Sequence, residues 1–413
     1  MGVRRRGPWH HGRVHELLQV IVDADPAVWA AAGFAVPPAD AGSAPTCTIG
    51  QSTIVFGVDL AAEDRDDRRA ARNSTIERSA DDRGEDPLAG IVAVAIAGLD
   101  PGDLDGMTLV AAPPPAPPTD PVAHPNGVIA LDHLVVCSPD VDRTTAALVD
   151  AGLVLRRERR FPMGAGTARQ SFFWLGATIL ELVGDDLAQG PGPAVAWGLA
   201  CTAIDLDVAA ALAGDAATPP KRAVQPGRRI LSLHGLGVPV ALLTPHPKLR
   251  PALTGDLDRI AEVEMAAGTL FAGIGLAEIA DDPVDTDEIG RAIADGRVWV
   301  VERRGRIEGW VMAVVVDGEA HLAQVSVAPE AAGFGLGRLL AERVHRWATD
   351  RGHASITLTT FVDVAFNGPL YERWGYRTLD ADQLGPELAA IRADEDRRWP
   401  HLAGRRQAMR LDL

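Results

Sequence analysis

A chain of 413 residues, 47% of them apolar and with a net charge of −16, has room for two to four domains with cores of their own. The acidic balance argues against a general nucleic-acid binder, which needs clustered Lys and Arg, and against attraction to an anionic membrane. Three scattered cysteines, Cys47, Cys137 and Cys201, lie in apolar runs with no CxxC pair. They fit a reducing, cytoplasmic setting better than a disulfide framework or a thiolate zinc site.

Residues 1–13 carry Arg4-Arg5-Arg6 with no apolar run behind it, so they read as a basic tail and not as a signal peptide. No apolar run approaches the roughly 20 residues that span a bilayer. In the block 14–110, strand-like runs stand at Leu17–Val22, Thr53–Val58, Ile91–Ala97 and Met107–Val110, with a short helix at Pro26–Ala32. Within it, residues 59–88 alternate Asp, Glu and Arg with almost no large apolar side chains. Burial cannot offset the entropy of ordering such a segment, so it reads as a mobile loop. Residues 111–126, AAPPPAPPTDPVAHPN, read as a semi-rigid proline-rich linker.

The block 127–246 repeats the grammar more clearly. Ile129–Cys137 is a strand, and Val141–Ala151 a helix with Asp140 as N-cap and Gly152 as its stop. Ser171–Leu175 and Thr178–Val183 form a strand pair turned at Gly176-Ala177. The unit then recurs as the strand Trp197–Ile204, the helix Val208–Leu212 and the strands Arg229–Leu233 and Val238–Leu243. Two copies of one strand–helix–strands unit imply a pseudo-symmetric α+β domain.

From 250 to 413 the pattern changes. Asp256–Ala267 has helical apolar spacing, and Asp285–Asp295 is a second helix. Three strands follow, Val298–Glu302, Trp310–Val316 and Ala320–Val327, separated by the hairpin signals Arg304-Gly305 and Asp317-Gly318. Next comes SVAPEAAGFGLGRLL, residues 326–340, running into a helix that ends at Gly352. Glycines at 333, 335 and 337 let the backbone approach a diphosphate, and the helix N-terminus adds partial positive charge. Such a loop also occurs in dinucleotide-binding folds. There it follows the first strand of the domain, with an acidic residue about 20 positions on; here several strands precede it, and Ser355–Thr360 carries no such acid. A second signal is Phe366-Asn-Gly-Pro-Leu-Tyr-Glu-Arg-Trp-Gly-Tyr-Arg377, a short helix carrying Tyr371, ending at Gly375 and leading into a strand.

On the two motifs VxPxxxGxGxG and NxxxYxxxGY, the last 160 or so residues resemble the GNAT superfamily of N-acetyltransferases. The resemblance implies a mixed-sheet fold and acetyl-CoA as co-substrate. The acceptor would be a primary amine on a small molecule or peptide, and a homodimer is compatible with it. It implies that Val325, Ser326 and Val327 pair with the pantetheine arm. Gly333, Phe334, Gly335, Leu336, Gly337 and Arg338 would bind the pyrophosphate, Asn367 would contact the cofactor, and Tyr371 would protonate the leaving thiolate. Two departures stand out. Ala332 replaces the Arg or Gln found in many relatives before the first glycine, and Ala323 stands where many carry a glutamate base. Glu264 and Glu319 are substitutes for that base only if they reach the cleft. The acceptor would be met by Phe271–Asp282 and by the chain after Thr378, where no motif is legible.

The repeat in 127–246 resembles the glyoxalase-like, vicinal-oxygen-chelate superfamily of paired βαβββ modules, and 14–110 looks like a more degenerate version. Carried over, the first module offers the metal ligands His133 and Glu181, while the second offers Gly198 and Ala241, which have no ligand atom. His234 is nearby in sequence only. No metal is therefore expected, and a ligand-binding or resistance-type role outweighs a metal-dependent lyase or dioxygenase. The whole chain thus reads as α+β, degenerate glyoxalase-like modules followed by a GNAT fold.

Overall fold

The computed structural model describes residues 15–57, 90–114, 120–164, 166–188, 190–280 and 283–413. The basic tail, the charged segment 59–88 and part of the proline-rich linker lie outside the described residues. The chain divides into two units, Met1–Ala223 with Arg229–Pro245, and Val224–Arg228 with His246–Leu413. Among the described residues no helix is long and apolar enough to cross a membrane.

The first unit holds two sheets. β1 (Glu16–Asp23) runs into α1 (Pro26–Ala31), where the Asp25 carboxylate accepts from the Ala27 amide and Pro26 opens the first turn. β2 (Thr46–Ile49), β3 (Ser52–Phe56), β4 (Gly90–Ala97), β5 (Gly102–Leu104) and β6 (Met107–Leu109) complete a sheet of order β2-β3-β1-β4-β6-β5. β1 is parallel to β3, β4 is parallel to β6, and β1 meets β4 antiparallel. The sheet order has two halves, β1-β3-β2 and β4-β6-β5. The choice of partner for Ile91–Ala97 is a long-range matter that no local pattern carries.

The second sheet contains β7 (Val128–Cys137), α2 (Val141–Asp150), β8 (Leu155–Met163), β9 (Gly166–Leu175) and β10 (Thr178–Asp185). β11 (Val195–Ala203), α3 (Leu206–Ala213), β12 (Lys221–Arg222), β13 (Arg229–Leu233) and β14 (Val240–Leu243) follow. Its order is β12-β13-β14-β11-β7-β10-β9-β8. The half β7-β10-β9-β8 and the half β11-β14-β13-β12 share one order, with the first strand parallel to the last in each. The halves join antiparallel at β7 and β11. Each helix begins on a capping aspartate: Asp140 accepts from the Arg143 amide, and Asp205 from those of Asp207 and Val208. One apolar core runs through both sheets, with Trp29, Phe56, Leu134, Phe173 and Leu242 all fully buried in it. The Trp29 indole N–H donates to the Leu236 carbonyl at 2.9 Å.

The second unit contains β15 (Lys248–Pro251), α4 (Leu257–Ala272), α5 (Ala277–Ala280), α6 (Thr286–Ala294), β16 (Val298–Arg303), β17 (Arg306–Val316) and β18 (Glu319–Val327). α7 (Leu336–Asp350), β19 (Ser355–Phe361), α8 (Gly368–Arg373), β20 (Arg377–Thr378), α9 (Pro386–Arg398) and β21 (Arg406–Asp412) complete it. The sheet order is β15-β16-β17-β18-β19-β21-β20. Both hairpin turns have left-handed residues in pairs, Arg304-Gly305 and Asp317-Gly318, as tight two-residue turns require. Separate apolar clusters cover the sheet: one with Ile260, Val263, Ile289 and Ile293 of α4 and α6, another with Leu336, Leu340, Val344 and Trp347 of α7.

Candidate functional site

β18 and β19 are parallel neighbours, but their register contains only two pairs, Ala320 with Ile356 and His321 with Thr357. Beyond His321, β18 stays paired with β17, placing Val325 opposite Val311, Ser326 opposite Trp310 and Val327 opposite Gly309. The sheet therefore splits along the far half of β18. A strand edge released in this way presents amides and carbonyls that an extended ligand can pair with.

The glycine-rich loop follows directly. Gly333 and Gly335 both have φ of 78°, a conformation that favours glycine, and Gly335 is the N-cap of α7 with no side chain capping the helix. Among the described residues, the first amide of this turn with a backbone acceptor is that of Leu339, to the Gly335 carbonyl at 3.1 Å. The amides of the opening turn thus point out of the helix with its positive dipole end behind them, an arrangement that suits an anion. Arg338 is exposed and pairs with Glu342 at 2.9 Å; Ala332 is exposed as well. The loop is held from outside. The Gly227 amide donates to the Phe334 carbonyl at 2.6 Å, and the Arg303 guanidinium lies 4.1 Å from the Phe334 ring centroid.

Asn367 and Tyr371 sit around the start of α8. The Asn367 carbonyl accepts from the amides of Leu370 and Tyr371, but its side chain caps nothing, and Oδ1 is buried without a partner among the described residues. Tyr371 is 7% exposed, with its ring edge-on to Trp374 at 5.4 Å and Tyr376 at 5.6 Å. Burial alone holds the phenol's pKa well above its ordinary value. The Tyr376 hydroxyl is 2.8 Å from His345 Nε2 on α7. One apolar cluster joins Tyr371 and Trp374 to Val325, Val327, Phe334 and Leu336, so strand edge, loop and phenol share one side of the sheet.

The carboxylates separate. Ala323 lies in a β-bulge of β18 and packs against the α4 and α6 cluster. Glu319 is at the closed end, where it accepts from the amides of Ala354 and Ser355, both at 3.1 Å. Glu264 reaches the open end: Oε1 is 2.6 Å from Gln324 Nε2, and Oε2 accepts from the Trp310 indole N–H at 3.1 Å.

Residues 271–376 match the model of the acetyltransferase (GNAT) family, a stretch that takes in the split, the loop and the tyrosine. This part of the chain is a GNAT acetyltransferase domain. Among solved structures, it is similar to the PaiA N-acetyltransferase of Thermoplasma acidophilum, determined with coenzyme A (13% identity, TM-score 0.33, 41% of this chain and 100% of that one). It is also similar to the ribosomal-protein-S18-alanine N-acetyltransferase of Escherichia coli (20%, 0.29, 40% and 94%). The N-acetylglutamate synthase of Neisseria gonorrhoeae, determined with coenzyme A and N-acetyl-glutamate, matches at 18% (0.32, 44% and 38%). The assignment rests on the family match.

Sequence reasoning on this acetyltransferase domain missed Gly368. A Cβ there would stand 2.7 Å from the Phe361 carbonyl and 2.9 Å from that of Val362, so only glycine lets α8 start where it does. It also missed the hold of residues 224–228 on the loop, which no local motif announces.

In the first unit, His133 is buried, with Nδ1 2.6 Å from Asp132 Oδ1. Glu181 accepts from the Gln170 amide. Burial raises its pKa, while His133 and Gln170 pull the other way. Counting back seven residues from the capping Asp140 and Asp205 reaches His133 in one half and Gly198 in the other. A Cβ at Gly198 would be 2.8 Å from the Pro239 carbonyl, so the second half has no room for a ligand side chain there. Among the described residues no group of three or more His, Cys, Asp or Glu side chains could hold a metal ion.

Proposed function

We propose that the C-terminal unit transfers an acetyl group from acetyl-CoA to a primary amine. The observation that carries this reading is the sheet split, with a buried phenol on one side and an uncapped helix N-terminus at its end. The residues present suit the co-substrate. The opening amides of α7 and the glycine loop fit a pyrophosphate, and the released edge of Val325–Val327 fits the amides of a pantetheine arm. The orphaned Asn367 Oδ1 fits a donor N–H, since a buried acceptor without a partner costs about 1–3 kcal/mol unless something completes it.

In the reaction, the amine nitrogen attacks the thioester carbon, the C–S bond breaks, and the sulfur leaves as a thiolate. Backbone amides at the split stabilise charge on the carbonyl oxygen. Tyr371 supplies the proton that the thiolate takes up, and its raised pKa keeps the phenol loaded at neutral pH. The test is release of free thiol from acetyl-CoA across a panel of primary amines. An acetyl-CoA-binding protein that acetylates none of them would be a cofactor sensor instead.

A second reading concerns the first unit, and what supports it is the shared strand order of the two halves of its second sheet, joined at β7 and β11. We infer an accessory ligand-binding role for it. Calorimetry of the full chain against a diverse set of small apolar molecules tests this, with no heat from any of them as the adverse result.

A further inference from the structure

α4 bridges the sheet split. Glu264 and Phe271 lie two turns apart on one face of this helix. At the Glu264 end, the carboxylate is bonded to Trp310 of β17 and Gln324 of β18. At the other, the Phe271 ring packs on Phe361 of β19 at 5.7 Å and on Phe366 just beyond it at 5.2 Å. The helix therefore crosses from the β18 side to the β19 side over the opening. The strand position where a carboxylate is expected carries only the methyl of Ala323, which packs in the same cluster as Ile260 and Val263 of α4. Gln324 Nε2 also donates to Ser326 Oγ at 3.2 Å, so the Glu264 carboxylate is tied through one amide to the strand segment that lines the split.

We infer that Glu264 is the general base of the transfer, supplied from the helix layer in place of a strand glutamate. It takes one proton from the acceptor's ammonium, and the neutral nitrogen then attacks. The second N–H proton, lost as the amide forms, passes to solvent, from which Tyr371 regains the proton it gives the thiolate. Tyr371 belongs to the apolar cluster on the α7 side, and Glu264 lies against the α4 side. Base and acid thus reach the split from opposite layers, and the ammonium proton and the thiolate proton travel by separate routes. Phe271, two turns further along the same helix face, and the 37%-exposed Phe366 packed on it favour an amine whose apolar stem extends toward them.

This inference rests on the acetyl-transfer reading. The full-length chain is assayed for thiol release with 2-phenylethylamine and with ethanolamine, and acetyl-CoA binding is measured by calorimetry. The phenyl amine is the better acceptor. Glu264→Gln lowers kcat about a hundredfold and leaves acetyl-CoA affinity unchanged, and adding Ala323→Glu restores part of the rate. An unchanged kcat in Glu264→Gln overturns the assignment while leaving the transferase reading intact. So does a fall in kcat with an equal loss of acetyl-CoA affinity, the mark of a structural role. If the parent binds acetyl-CoA but acetylates neither of these nor any other amine of the panel, the inference falls together with the reading it rests on.

Discussion

Replacing Asn367 by leucine, a side chain of similar shape, sets two effects in opposite directions. The native Oδ1 is buried with no partner among the described residues, and its backbone bonds to Leu370 and Tyr371 do not involve the side chain. Removing an unsatisfied buried acceptor relieves about 1–3 kcal/mol of desolvation. For a folding unit of 150–250 residues each kcal/mol moves Tm by roughly 2–4 °C. Asn367→Leu therefore melts a few degrees higher than the parent when no ligand is added. In the complex the sign reverses. The ligand's donor is left facing a methyl group, and a loss near 1.4 kcal/mol weakens acetyl-CoA binding about tenfold. Differential scanning fluorimetry with and without acetyl-CoA, beside calorimetry, reads both quantities. A variant with a lower apo Tm and unchanged affinity would refute the idea that Oδ1 is held for a ligand.

Tyr371→Phe keeps the packing on Trp374 and Tyr376 but removes the proton donor, so thiol release falls about 10²–10⁴-fold with Tm nearly unchanged; a rate within a factor of three of the parent would exclude the acid role. Gly368→Ala forces a methyl against two backbone carbonyls that cannot step aside, and it costs about 1–3 kcal/mol by chemical denaturation. At Gly227, with φ of 78° and a Cβ that would stand 2.6 Å from Pro247 and 3.0 Å from Leu336, alanine displaces the contact with Phe334 and weakens acetyl-CoA binding in calorimetry. Glu181 has a folded pKa above its ordinary value, so its ionisation opposes folding once pH rises past the usual carboxylate range. Glu181→Gln accordingly gains Tm over the parent at neutral pH, and the gain disappears in acid.

Much of the acetyltransferase domain could be read locally, because its signals are short-range. Glycines at 333 and 335 answer to backbone conformation, and the hairpins answer to Arg304-Gly305 and Asp317-Gly318. The capping Asp140 likewise stands where helix chemistry asks for it. What escaped was tertiary or atypical. Leu155–Met163 forms an edge strand although its sequence, LRRERRFPM, has no apolar alternation; an edge tolerates such charge. Arg406–Asp412 was unread for the same lack of pattern, yet it pairs with β19 along its whole length. Whether Glu264 or Glu319 reaches the opening depends on where α4 lies across the sheet, and both glutamates look alike in the sequence.

The short run Val224–Arg228 lies between β12 and β13 of the first unit, yet it belongs with the second and holds the Phe334 carbonyl. The transferase is therefore discontinuous along the chain. A fragment that begins at residue 250, where the sequence pattern changes, would lack the peptide that holds its own glycine loop. One cut in the chain cannot release this unit whole. A deletion within residues 224–228, far upstream in sequence from the glycines, would be felt first as lost affinity for acetyl-CoA.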